Sequence, residues 1–292
     1  MSQKTLKNKD LEVVVDSFGA EIQSVKSPDG TEYMWQGDEK YWGRRAPVLF
    51  PVVGRLRNGR YHYDGVEYNM GSHGFARDME FKLEHHLPHE LVYELREDEE
   101  SLAHYPFKFL LKIIYRLEKN VLTVKYEVKN LDEKVMFFSI GAHPAFNLPL
   151  TNGVNFDDYK ITISPNEERQ MIPLNTEFGT AEIDQIKKVN MSEIPVNRDL
   201  FKVDTLIFET PDATSVELST DKDARKVTVA YEDMPFLGIW SPYKKDAPFV
   251  CIEPWCGVSD DDESDGDLKT KYGINELMPD QKFECKYTIK FD

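Results

Sequence analysis

The chain has 292 residues, 40% hydrophobic and 12% aromatic, enough to build a sizeable buried core. Asp plus Glu number 52 against 36 Lys plus Arg, and the net charge of −16 argues against nucleic acid and anionic membrane surfaces, which reward clustered positive charge. No apolar run approaches the ~20 residues of a membrane helix. The N-terminal charges have no apolar stretch behind them, so no signal peptide is expected and the protein reads as cytoplasmic.

In chain order, Pro28-Asp29-Gly30 marks a turn, and Asn58-Gly59 and Asp64-Gly65 both suit tight hairpins. Between them Arg55, Arg57 and Arg60 cluster in an acidic chain. Alternation predicts Arg55 and Arg57 on one side, as a solvated hairpin face or as donors to hydroxyl or phosphate oxygens. Residues 97–104 and 181–190 could form a turn or two, and no long helix is expected. Residues 109–117, 120–128 and 282–291 alternate apolar and polar side chains with period two, which predicts half-buried antiparallel strands. No repeat or Gly/Ser-rich linker divides the chain. The expectation is one all-β domain over 1–292, made of two packed antiparallel sheets.

Two ionisable residues end apolar runs and precede proline: His143 in Phe138-Ser139-Ile140-Gly141-Ala142-His143-Pro144, and Glu253 in Phe249-Val250-Cys251-Ile252-Glu253-Pro254-Trp255. The following proline holds each on extended backbone. Burying such groups beside apolar strand residues is costly unless a partner or a function retains them, and a fixed donor and acceptor are the minimal parts of a proton-shuttling site. The bland reading is a hydrogen-bonded core histidine and a glutamate reaching water. Alternation sets His143 with Ser139 and Gly141, a small-residue face with room for a ligand, and Glu253 with Phe249, Cys251 and Trp255.

Further candidates are Ser72-His73-Gly74-Phe75-Ala76-Arg77-Asp78, where Gly74 permits close backbone approach and Arg77-Asp78 reads as a surface pair. The acidic run 260–267 fails the calcium-loop template, because Glu263 and Tyr272 fall where Asp/Asn and Glu are needed, and it reads as a solvated loop. Cys251, Cys256 and Cys285 lack disulfide or zinc-knuckle spacing and read as reduced thiols. No phosphate-cradling glycine loop and no nucleophile elbow occurs. Neither a metal nor a cofactor is expected.

In order and spacing, His73-Gly74-Phe75-Ala76-Arg77, His143-Pro144-Ala145-Phe146-Asn147 and Glu253-Pro254-Trp255 resemble the aldose 1-epimerases, galactose mutarotases and their relatives. Gly19-Ala20-Glu21-Ile22, leading to Tyr33-Met34-Trp35, resembles the opening of that family. The resemblance implies a galactose mutarotase-like β-supersandwich of large twisted antiparallel sheets with a sugar cleft on one sheet. It also implies interconversion of the α and β anomers of a hexose, with His143 as general acid, Glu253 as general base, and Arg55, His73 and Asp204 binding the sugar. Two departures stand out: Gly54, rather than asparagine, precedes Arg55, and the His-Gly-Phe-Ala-Arg motif is closer to the mutarotase-related and hexose-6-phosphate branches. The alternatives are a hexose-6-phosphate mutarotase, a non-catalytic carbohydrate-binding protein of the same fold and, behind them, a glycosidase, which needs two facing carboxylates.

Overall fold

The three alternating segments are adjacent strands of one sheet. In the computed structural model, which describes residues 2–292, Phe109–Glu118, Val121–Asn130 and Lys282–Phe291 lie side by side in a nine-stranded antiparallel sheet. Its register pairs Tyr126 with Cys285 on one side and with Ile113 on the other. The inward rows Leu111, Ile113, Tyr115 and Leu117, then Leu122, Val124, Tyr126 and Val128, are buried. Each such aliphatic or aromatic side chain contributes roughly 1.5–3 kcal/mol on burial. The outward rows carry ion pairs such as Lys125–Glu127 and Lys125–Glu284, which add little stability in water.

The second large sheet has eight strands. Its path runs Lys187–Val189, Arg169–Ile172, Leu206–Glu209, Phe236–Trp240, Phe249–Cys256, Ile140–Ala142, Val48–Leu49, with Ala145–Asn147 also paired to Phe249–Cys256. One continuous apolar core joins residues of both sheets. Among the described residues helix is confined to Glu99–His104, capped by Asp98, and to short 3-10 turns including Ile183–Gln185. No helix of the described residues is long and apolar enough to cross a membrane.

The local expectations fare unevenly. Asp64-Gly65 does join the hairpin Arg60–Tyr63 to Val66–Asn69. Asn58-Gly59 does not make a hairpin: it closes the 3-10 turn Arg57–Gly59, with Asn58 at φ 59°. Over Arg55-Leu56-Arg57 the expected alternation is present, with Leu56 buried between two exposed arginines, and the turn ends it after Arg57. Arg57 Nη1 donates to the Ser264 carbonyl at 3.0 Å. The acidic run is likewise not simply solvated. Asp260 is buried and accepts the Arg57 backbone N–H at 3.1 Å, and Asp262 accepts from Asn175 and Thr180. This loop therefore ties two other segments to the rim of a cleft.

Candidate active site

All eight residues of Phe249–Cys256 are buried, yet the alternation divides them. Val250, Ile252 and Cys256 enter the main core, whereas Phe249, Cys251 and Trp255 join two smaller apolar clusters on the opposite face. Glu253 lies between those clusters. On one side the strand pairs with Phe236–Trp240, Glu253 facing Gly238. On the other it pairs with Ala145–Asn147 and then with Ile140–Ala142. His143 and Pro144 interrupt this second ladder, and continuing the register from either side of the break puts His143 directly across from Glu253. Each proline removes an N–H from the ladder where the pair sits.

His143 Nε2 stands 3.3 Å from Glu253 Oε2, with the two side chains only 8% and 1% exposed. The contact lacks hydrogen-bond alignment: Glu253 Oε2 and His143 Nδ1 are both buried without a hydrogen-bond partner among the described residues. Such orphaned groups are costly in a folded protein unless a ligand completes them. Burial pushes the Glu253 carboxyl well above its usual range, and the Asp204 charge adds to this. Burial pulls His143 down to about 3, helped by the positive charges of Arg77 and Arg44. Both effects favour neutral forms, so the pair holds one proton in total. The neutral pair and the carboxylate–imidazolium pair differ only by proton transfer between the two side chains.

Aromatic rings frame the histidine. Trp42 stacks on it with centroids 4.7 Å apart, Trp240 meets it edge-on at 5.5 Å, and His73 does so at 5.5 Å. A stacked indole favours the imidazolium form. The small-residue face beneath His143 is not open to a ligand as expected: the Trp255 indole fills it. A Cβ at Gly141 would come 2.5 Å from Trp255 Cδ1, and one at Gly238 would come 2.4 Å from its six-membered ring. Trp255 Nε1 donates to the Ala142 carbonyl at 3.1 Å, which fixes the ring beside Glu253.

His73, Arg55 and Asp204 line the same cavity of about 180 Å³ as His143 and Glu253. That volume is below the roughly 300–1,000 Å³ of drug-sized sites and suits one small ring. His73 is clamped through both backbone and ring: its N–H donates to the Gly54 carbonyl at 2.8 Å, and its Nδ1 accepts the Gly54 N–H at 3.1 Å. Its remaining donor is therefore Nε2–H. Burial, with the charges of neighbouring cations, keeps this imidazole neutral. Gly54 has φ +70°, and a Cβ there would lie 2.0 Å from Ser259 Oγ, which explains glycine at this position. Arg55 lies at the exposed rim against Gly179. Asp204 has φ 68° and ψ −104°, a conformation costing a non-glycine residue on the order of 1–3 kcal/mol.

Two tryptophans of the lining were not singled out from the sequence. Trp42 and Trp240 lie where no motif marks them. Arg77 does pair with Asp78, at 3.7 Å, but shares that carboxylate with Arg44, which holds it more closely at 2.8 Å. Arg77, 17% exposed, turns into the cavity and donates to the Ser72 carbonyl. Burial lowers its guanidinium to about 10.

Residues 2–260 match the family model described as aldose 1-epimerase. The chain belongs to the aldose 1-epimerase family. Protein LacX (plasmid) of Lactococcus lactis subsp. lactis is 32% identical over 292 residues, covering 97% of each chain. The galactose mutarotase related enzyme of Lactobacillus acidophilus superposes with a TM-score of 0.97 at 41% identity, over 100% of this chain and 97% of that one. A galactose mutarotase-like protein of Lactobacillus casei ATCC 334 gives 0.93 at 30% identity, with both chains fully covered. The two large antiparallel sheets are thus the galactose mutarotase-like fold.

Proposed function

We propose that this member of the family is a mutarotase that interconverts the α and β anomers of a hexose. The observation that carries the reading is the buried His143–Glu253 pair, 3.3 Å apart, facing a cavity sized for one ring. With closed sugar bound, its hydroxyls supply the polar partners the pair lacks and favour the carboxylate–imidazolium form. Glu253 then takes the anomeric hydroxyl proton while His143 protonates the ring oxygen. The C1–O5 bond breaks, leaving the open aldehyde facing protonated Glu253 and neutral His143. After rotation about C1–C2, His143 recovers the proton from the C5 hydroxyl as that oxygen attacks C1, and Glu253 returns its proton to the former carbonyl oxygen. The pair stays net neutral throughout, so no charge has to enter or leave a dry site. His73 Nε2–H, Arg55 and Asp204 hold the sugar oxygens.

A second reading, a hexose-6-phosphate as substrate, is favoured by Arg55 and Arg77 both lining the cavity, and by Arg44 and Arg45 in the cavity adjoining it at Trp42 and Arg77. Polarimetry of freshly dissolved α-D-glucose and α-D-galactose, beside coupled assays of the 6-phosphates, tests both. Faster decay of rotation with a neutral sugar supports the first reading, and acceleration confined to the phosphates supports the second. No acceleration with any of them would leave a carbohydrate-binding protein.

A further inference from the structure

One buried nucleophile has no part in this proton transfer. Cys251 is two residues before Glu253 on the same strand, so both side chains leave the same face, and Cys251 is fully buried. Its sulfur, a nitrogen of His143 and a carboxylate oxygen of Glu253 all lie within 4.8 Å of one another. We propose that these three side chains form a binding site for a thiophilic divalent cation of the zinc class, and that an ion there blocks the proton-transfer pair.

The geometry fits such an ion. With bonds of about 2.0–2.1 Å to nitrogen and oxygen at tetrahedral angles, the N···O edge of a zinc shell is roughly 3.3–3.4 Å. The His143 Nε2–Glu253 Oε2 separation is 3.3 Å, without a hydrogen bond aligned along it. A Zn–S bond of about 2.3 Å needs edges of roughly 3.5 Å to the other two ligands, so the sulfur, within 4.8 Å of both, has to move by at most about 1.3 Å. Thiolate and carboxylate balance the two positive charges, and the imidazole binds as the neutral ring. Three protein ligands leave the fourth position open toward the cavity, the pattern of an accessible zinc site rather than a closed structural one. The other two thiols are elsewhere: Cys256 and Cys285 belong to the main core, and Cys256 donates to the Asp233 carbonyl at 3.3 Å.

The test is equilibrium dialysis of the full chain against zinc chloride, with cadmium chloride as an optical probe through its thiolate absorption in the ultraviolet. The site predicts one ion per chain and a cadmium–thiolate band in the wild type. Cys251→Ser should weaken binding at least tenfold and abolish the band, whereas Cys285→Ser should change neither. In the mutarotation assay zinc should inhibit the wild type, reversibly by a chelator, but not Cys251→Ser relative to its own metal-free rate. Wild type without bound ion, or Cys251→Ser with undiminished binding, would overturn the proposal. Should Cys251→Ser fold poorly, Cys251→Ala and the wild-type cadmium band decide the matter. Binding is read independently of turnover, so failure of this site is distinguishable from failure of the mutarotase reading.

Discussion

Gly238→Ala is a single methyl group with a calculable consequence. Gly238 faces Glu253 across the ladder, and the Trp255 ring lies over it. The added Cβ would sit 2.4 Å from Trp255 Cη2 and Cζ2, so the ring must move by roughly an ångström to regain ordinary contact. At its other end it packs over Gly141, where a Cβ would come 2.5 Å from Cδ1, and it is held by its hydrogen bond to Ala142. Overpacking of this kind costs about 1–3 kcal/mol, and an ångström's displacement beside reacting groups can cost on the order of 10²-fold in rate. Urea denaturation should show the lost stability, and kcat/KM for mutarotation should fall at least tenfold. Trp255→Phe, a smaller ring, should recover stability when combined with Gly238→Ala, giving a coupling energy of about 1–2 kcal/mol in a double-mutant cycle. Wild-type stability and activity in Gly238→Ala would refute the view that Trp255 is wedged against the His143–Glu253 pair.

Three other outcomes follow from the electrostatics. Activity should track the one-proton state of the pair. Because His143 titrates near 3 and Glu253 well above the usual carboxylate range, the pH–rate profile should stay flat from about pH 6.5 down to 5; a fall centred near 6.5 would show a free imidazole instead. Arg77→Gln removes a positive charge that holds His143 down, so the His143 pKa measured by NMR should rise, and an unchanged value would exclude that coupling. Glu253→Gln should be at least as stable as wild type at pH 7. The folded-state pKa of Glu253 is raised, so folding favours its protonated form, and stability is lost as pH rises through that value; a clearly lower melting temperature for the variant would contradict this.

Much of the fold was legible because its strands are half-buried. Residues 109–117, 120–128 and 282–291 alternate visibly since one face meets the core and the other meets water. The site strand carries a weaker signal, with both faces covered, but Glu253 stood out as a charge in an apolar run. His143 stood out for the same reason. What the alternation could not say was that the two strands are neighbours in a register that puts the pair face to face, since pairing is a long-range property. It could not reveal how the small-residue face is used either: Gly141 makes room for Trp255, a partner supplied by another strand. Trp42 lies in a loop without period, and Arg77, which does pair with Asp78, gives no sign in the sequence that its guanidinium is mostly buried at the cavity. The Asn58-Gly59 hairpin expectation failed because these residues close a 3-10 turn, with Asn58 in a left-handed conformation, rather than joining two strands.

The most direct test of the central claim is anomer exchange measured by NMR saturation transfer between the α and β H1 signals of the accepted sugar, with wild type beside Glu253→Gln and His143→Asn. The account predicts exchange far above the spontaneous rate in wild type, and a loss of about 10²–10⁴-fold in each variant with sugar binding largely kept. Exchange in either variant at the wild-type rate would show that the buried pair is not the proton carrier.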